Sequence, residues 1–446
     1  MTLSVDIHRL TLLPRLAWVL KLEGNRADVG VGSRVAVAED SLFDGGYAFT
    51  SDPADLKPDA VYFGSGASWR DGKMTLIAPS HTFEGIWVVE SASAVWASNS
   101  YPLVVAASQP CGFDIRRARL AIRAVFRGVS AGGTEVYRSA DTRVLRCQNA
   151  FVELGGPSGL SERQQCQALR FSDYETYTEH LRTVLREVRA SFSGNGFSAH
   201  ASRGYDSAAS AVLAASAGPT SVISVARTCM GQDDDGSIIG ELLSLPIHRI
   251  DRPVRQTLVR EFPGELVVAE TIAPADHANV FEFFDGYTIG DEVLSVPNEV
   301  VADRVVVNGR GGDLMWDAHG AAWNDFVRPD RSSHGGGGLS EYRLRAGFAN
   351  VPLPAVAFNH ADVVRRISLD AEMAPWRLGT DYDRPVPRRV IEEAGVPRGP
   401  FGERKMHVST FPANIAAIAP RLFQMQMDRY APALAEWAKP GGQPIP

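Results

Sequence analysis

The sequence has no long hydrophobic run. No stretch reaches 18 consecutive apolar residues, so no membrane-spanning helix is encoded. Residues 1–24 also lack the basic start, apolar core and small-residue cleavage site of a secretory signal. Cysteine is scarce, and Cys111, Cys147, Cys166 and Cys229 lie far apart. They offer neither the paired spacing of a zinc site nor the density of a disulfide framework. They read as reduced, mostly buried thiols of a cytoplasmic protein. The 10 histidines form no HxxxH and no His-Asp-Ser constellation, which leaves a zinc hydrolase without support. Lysine is nearly missing, with Lys21, Lys57, Lys73, Lys405 and Lys439 set against an arginine-rich remainder. Lys and Arg number 45 against 52 Asp and Glu, for a net charge of −7. That balance argues against a nucleic-acid binder working by bulk electrostatics.

What is present is a globular composition, 45% hydrophobic and 22% charged over 446 residues. This length exceeds what one core usually serves, so two domains are expected. Up to about residue 161 the pattern is mainly strands: short apolar or alternating runs at 16–22, 60–63, 74–78, 86–90 and 94–97, separated by Gly, Asp, Ser and Pro. The runs GIWVVES and AVWASNS read as neighbouring strands of one sheet, and a helix is expected at 115–126. A Gly/Pro/Ser-rich stretch at 155–160 marks a boundary, giving a β-rich domain over 1–165 and a second domain over 166–446. The second opens with Ser172-Asp173-Tyr174-Glu175, which fits a capping box. Tyr174, Tyr177, Leu181, Val184, Leu185 and Val188 then form one helical apolar face. The charged opposite side predicts a helix on the surface of the second domain. From Gly196 onward strands (197–201, 221–225, 247–250, 304–307) alternate with helices (207–216, 238–245). Such alternation predicts parallel strands with helical crossovers, an α/β sheet.

The most informative stretch is FSAHASRGYDSAASAVLAASAG, residues 197–218. A strand runs through Ser202-Arg203-Gly204-Tyr205-Asp206-Ser207 directly into a helix. Such a turn points backbone N–H groups and a helix N-terminus into one concavity, which suits phosphate oxygens. Ser202 and Ser207 add hydroxyl donors, and a magnesium ion would reconcile Asp206 with phosphate. The same residues also fit an ordinary strand-to-helix turn capped by Asp206 or Ser207. Further on, VVVNGRGGDLMWD places a second strand before a second glycine-rich loop. Asp206 and Asp313 together would supply two hard oxygen ligands to one divalent ion.

These two loops resemble those of the asparagine-synthetase-like ATP pyrophosphatases, the group that includes asparagine synthetase, the β-lactam synthetase and the lasso-peptide cyclases. Their pyrophosphate loop is Ser-Gly-Gly-x-Asp-Ser, matched by Ser202, Gly204, Asp206 and Ser207, with Arg203 standing where the family has glycine. Their second loop, Gly-x-Gly-(Gly/Ser)-Asp, is matched by Gly309, Gly311, Gly312 and Asp313, with Leu314 where the synthetases usually have Glu. The resemblance spans about residues 171–407 and implies a Rossmann-like α/β synthetase domain with a parallel sheet. It implies ATP and Mg2+ as cofactors, with Ser202, Arg203, Gly204, Tyr205, Asp206, Ser207, Val225, Gly311 and Gly312 around the nucleotide and Asp206 and Asp313 on the metal. Lys405, in YDRPVPRRVIEEAGVPRGPFGERK, would neutralise charge building on the phosphates, and Arg310 would orient an anionic substrate. The arginines Arg384, Arg388, Arg389, Arg398 and Arg404 in that region would hold phosphate, hold an acidic substrate or face water. Asp233-Asp234-Asp235 reads as a solvated acidic turn.

The first half is only faintly similar, resembling a degenerate Ntn glutaminase-like domain. Its start, Met1-Thr2-Leu3, lacks the family's cysteine nucleophile, so ammonia is not expected to be generated here. The implied activity is an ATP-dependent amide-forming ligase that adenylates a small-molecule carboxylate and passes it to an amine or ammonia. A separate ammonia-supplying protein or a homo-oligomer would be the partner, with no nucleic acid and no membrane. The alternative is a non-catalytic relative that kept the fold as a nucleotide-binding scaffold.

Overall fold

Alternating apolar residues in the N-terminal third build two sheets that meet face to face. The computed structural model describes residues 3–81, 83–114, 133–156, 159–192, 195–226, 233–250, 298–319, 340–380, 382–399 and 415–439. The first sheet has seven strands in the order Ser4–Arg9, Arg26–Val31, Trp18–Glu23, Val95–Ser98, Ile86–Ser91, Thr142–Cys147 and Gly133–Arg138. The second has six, from Gly159–Gln164 through Ala150–Gly156, Met74–Ile77, Gly66–Ser68 and Ser41–Phe43 to Ala36–Ala38. Neighbours are antiparallel except Ser4–Arg9, which runs parallel to Arg26–Val31. Trp18, Leu20, Val29, Ile86 and Val88 of one sheet share a buried cluster with Leu42, Met74, Leu76 and Val152 of the other. The two strands around Trp87 and Trp96 pair as expected, with Trp87 opposite Ser98.

Strand periodicity sends Trp87 to the opposite face from Ile86 and Val88. There it stacks at 3.9 Å on Tyr101, the first residue of α1 (Tyr101–Ser108). The helix Ile415–Trp437 also packs on α1, with Phe423 5.0 Å from Tyr101. The helix expected at 115–126 lies outside the described residues, as does Cys229; of the other cysteines, expected to be mostly buried, Cys147 is buried while Cys111 and Cys166 are exposed.

The second half holds a five-stranded parallel sheet. Its strands are β1 (Phe197–Ala201), β2 (Thr220–Val225), β3 (Ile247–Ile250), β4 (Val305–Asn308) and β5 (Ala349–Pro352). They lie in the order β3-β2-β1-β4-β5, every neighbouring pair parallel. The protein is therefore mixed α/β, a β-rich N-terminal region followed by a parallel sheet.

On this sheet sit α2 (Tyr174–Phe192) and the Ala-rich α3 (Tyr205–Ala217). The α2 face formed by Tyr174, Tyr177, Leu181, Val184, Leu185 and Val188 is buried as the spacing predicts. Its start differs by one residue: Asp173 Oδ1 accepts the Thr176 N–H at 2.8 Å, and Thr176 Oγ1 accepts the Asp173 N–H at 3.2 Å. Asp173 and Thr176 thus make the capping box expected of Ser172 and Glu175. Nor is α2 a plain surface helix. It also meets the strand Gly46–Ala48, where a Cβ on Gly46 would stand 2.7 Å from Val188. Ser191 bonds both the N–H and the carbonyl of Tyr47, and Glu187 accepts the Phe49 N–H at 2.6 Å. Hydrophilic side chains of α2 are thereby used to join the two halves of the chain. Among the described residues no helix is long and apolar enough to cross a membrane.

A buried ion network makes the second joint. Arg343, 2% exposed, donates to Asp44 at 3.1 Å and pairs with Glu84 at 3.0 Å. Asp44 also accepts from Trp18 Nε1, Ser65 and Asn99. Burial pushes the Glu84 carboxyl above its ordinary pKa, against the pull of Arg343 and the Asn350 hydrogen bond. Breaking a buried pair by removing one partner typically costs about 3–5 kcal/mol. Arg343→Met is expected to lose stability in that range in urea denaturation followed by tryptophan fluorescence.

Half-buried His180 on α2 stacks on Phe49 at 5.4 Å. Burial, with Arg170 and His360 nearby, lowers its pKa from 6.5 to about 4. A base with a depressed folded-state pKa binds fewer protons folded than unfolded, so stability present above pH 6.5 is lost as pH falls towards 4. His180→Phe should show a shallower fall in stability across that window than wild type when both are unfolded in urea at a series of pH values.

Candidate functional site

The strand order reverses between β1 and β4, since the chain steps outward from β1 to β3 and then returns to β4 on the other side of β1. In open α/β sheets the loops leaving the carboxyl ends of two such strands diverge and leave a crevice where ligands bind. Both glycine-rich loops leave from these two strands.

The first loop is held by its own hydroxyls. Ser202 Oγ and Ser207 Oγ are 2.8 Å apart, Ser207 Oγ accepts the Ser202 N–H at 3.1 Å, and Ser202 Oγ accepts the Gly204 N–H at 3.1 Å. Gly204 is the N-cap of α3 in extended conformation, so the helix begins at Tyr205 with Asp206 in its first turn. Arg203 stays out of the left-handed region, and the absence of glycine there carries no backbone strain. Its N–H donates to Asp234 at 3.2 Å and its guanidinium to Asp233 at 2.7 Å. Asp233 is solvent-exposed, as expected of this turn, and the turn also bonds the first loop at Arg203. Asp235 anchors that turn, accepting from Ser224 at 2.7 Å and the Ser237 N–H at 3.0 Å and pairing with Arg249 at 2.7 Å. Burial would raise its pKa, but these partners outweigh burial and lower it.

The second loop closes directly against the first. A Cβ at Gly309 would stand 2.5 Å from the Asp206 carbonyl carbon, and one at Gly312 would stand 2.3 Å from Asp206 Cγ. Gly311 has φ of 85°, the left-handed conformation that glycine adopts without cost. Leu314 is buried at 5% and belongs to the core. A hydrogen-bond chain ties this loop to the N-terminal region: the Arg310 N–H donates to Asn308, Asn308 to Asn350, and Asn350 to Glu84, at 3.1, 2.8 and 2.8 Å. The Arg310 side chain is half-buried.

Arg384, named in the sequence only as one of five arginines, occupies the centre. Its side chain is 4% exposed and pairs with Asp313 at 2.9 Å, Asp317 at 3.2 Å and Asp206 at 3.9 Å. It precedes α4 (Pro385–Glu393), which packs on α3. Burial works against the guanidinium charge, but Asp206, Asp313 and Asp317 outweigh it and raise its pKa. A pair of opposite charges about 4 Å apart is worth roughly 4 kcal/mol at an effective dielectric of 20, so three such neighbours hold it firmly. Asp206 and Asp313, expected to share a magnesium ion, share a guanidinium instead. Magnesium needs oxygens at about 2.0–2.1 Å in octahedral array, and an ion between these two carboxylates would meet a fixed positive charge. The residues as arranged do not fit it. Among the described residues no group of three or more His, Cys, Asp or Glu is placed to hold a metal.

The remaining expected residues fall as follows. Tyr205 is buried; its ring stacks on Tyr382 at 5.8 Å, and Arg388 lies over it at 4.9 Å while donating to its hydroxyl at 3.2 Å. Val225 ends β2 opposite Ile250, and the next carbonyl, of Ala226, accepts the Asp234 N–H at 3.3 Å. Lys405 and Arg404 lie outside the described residues. The local signal that Arg384 is special is weak: Pro385 after it sets a helix start, but nothing in the spacing names its partners. No family model matches the chain, and no curated protein matches it.

Gly312→Ala is expected to destabilise by about 1–3 kcal/mol, the usual cost of forcing atoms into a filled space. Gly399→Ala, where among the described residues no atom lies within 4 Å of the added Cβ, should be near neutral in the same thermal denaturation experiment.

Proposed function

We propose that the two loops bind ATP and that the protein is an AMP-forming, amide-making ligase of the asparagine-synthetase-like kind, built on a Rossmann-like synthetase domain. The observation that carries this reading is the contact of Gly309 and Gly312 with Asp206 at the reversal of the strand order. Two glycine-rich strand-to-helix loops with the family's residues, about a hundred positions apart in sequence, meet at the place where such sheets take ligands.

In this reading Ser202, Gly204 and Ser207, with the first turn of α3, hold the pyrophosphate end of ATP. Helix N-termini favour anions through their partial positive charge and unpaired amides. A substrate carboxylate attacks the α-phosphorus, the bond to the bridging oxygen breaks, and pyrophosphate leaves an acyl-adenylate behind. An amine or ammonia then attacks the acyl carbon and displaces AMP. Arg310 orients the anionic substrate, and Lys405 neutralises charge on the phosphates.

A second reading, a nucleotide-binding or scaffold relative without chemistry, is favoured by one observation: Asp234 already takes the Arg203 N–H and Asp233 its guanidinium. Phosphate would have to compete with both carboxylates for that corner of the loop.

Thermal denaturation with ATP tests binding, and AMP release over a panel of carboxylates and amines tests chemistry. Ligand at 100 times its dissociation constant stabilises by about 2.7 kcal/mol. Wild type is expected to melt higher with ATP, and Ser207→Ala to weaken binding about tenfold, or about 1.4 kcal/mol. A shift without AMP release from any pair would select the scaffold reading, and no shift at millimolar ATP would remove the nucleotide from both.

A further inference from the structure

We propose that Arg384 is the resident cation of this site, a tethered guanidinium standing where a divalent ion would otherwise link the two loops. The inference rests on the nucleotide reading for its purpose, and on geometry alone for its placement. Asp206 comes from the first loop, Asp313 from the second and Asp317 from just after the short helix Gly312–Met315, and all three carboxylates converge on this one side chain. An arginine cannot lose its proton at any pH a protein tolerates, so the countercharge is permanent.

Its backbone is also fixed from several directions. Asp383, directly before it, accepts the Leu378 N–H at 2.9 Å and the Gly379 N–H at 3.1 Å, and its carbonyl accepts the Ala318 N–H at 3.1 Å. Directly after it, Val386 and Val390 of α4 enter the core shared with α3. Arg384 also donates to the Asp313 carbonyl at 3.3 Å and lies 5.2 Å from the Tyr382 ring. A guanidinium so held is part of the scaffold, and a divalent ion placed on the same oxygens would have to displace it. One positive charge offsets only part of three carboxylates, but it stands on the oxygens a divalent ion would take, so in its resting state the site takes no divalent ion.

Manganese titration of the nucleotide-free full-length chain, followed by electron paramagnetic resonance, tests this. Wild type should bind no Mn2+ at about 1 mM. Arg384→Gln should gain one Mn2+ per chain, and Arg384→Gln with Asp313→Asn should lose it again. The proposal is overturned if wild type binds one Mn2+ that Asp313→Asn removes, or if folded Arg384→Gln gains none. Near-UV circular dichroism establishes folding. If Arg384→Gln is unfolded, wild type decides alone, with binding lost in Asp313→Asn overturning the proposal and no binding supporting it. ATP takes no part in these titrations, so their failure is separate from a failure of the nucleotide reading, which the ATP-dependent melting shift judges.

Discussion

The site depends on one close approach, that of the second glycine loop to Asp206. Gly309 meets the backbone of that residue and Gly312 its carboxyl group, at distances that leave no room for a Cβ. With the loops this close, Asp206 is largely withdrawn from water and Asp313 partly so, and an opposite charge stabilises both. Arg384 supplies the compensation from a third segment. The helix α4 that Arg384 precedes is seated on α3 by Val386 and Val390.

A second constraint operates at the joint between the two halves. Arg343, Asp44 and Glu84 bury charge where the β-rich region meets the parallel sheet. Through Asn350 and Asn308 the same network reaches the backbone of Arg310. The second loop is thus braced from the N-terminal region, and the two halves of the chain form one support for the site. Polar groups this deep must be satisfied to be tolerated, which makes the joint specific as well as tight.

Local features were legible where a short-range period or motif causes them. The alternation in Ile86–Ser91 and Val95–Ser98, the helical face of α2 and the strand-loop-helix passage at Ser202 all follow from residues close in sequence. Where two chemistries compete within one or two positions, the pattern did not decide. Ser172 and Asp173 both make good caps, and the register of α2 selects Asp173. Likewise the charged side of α2 reads as solvent-facing, yet Ser191 and Glu187 bond a strand more than a hundred residues away. Weak strands such as Ser4–Arg9, with a polar residue at nearly every exposed position, carry little signal of their own and are fixed by pairing.

By itself, the sequence determined the elements: a β-rich first half, an alternating α/β second half, and two glycine-rich loops each following a strand. These are set by side-chain periodicity and by glycine's backbone freedom, both local properties. Only the tertiary structure decided the strand order that brings the loops together, and the guanidinium that stands between their aspartates. It also decided that Asp233 and Asp234 answer Arg203. The reason is physical: an ion pair is specified by distance in space, and Asp206, Asp313 and Arg384 lie too far apart along the chain for any periodicity to relate them.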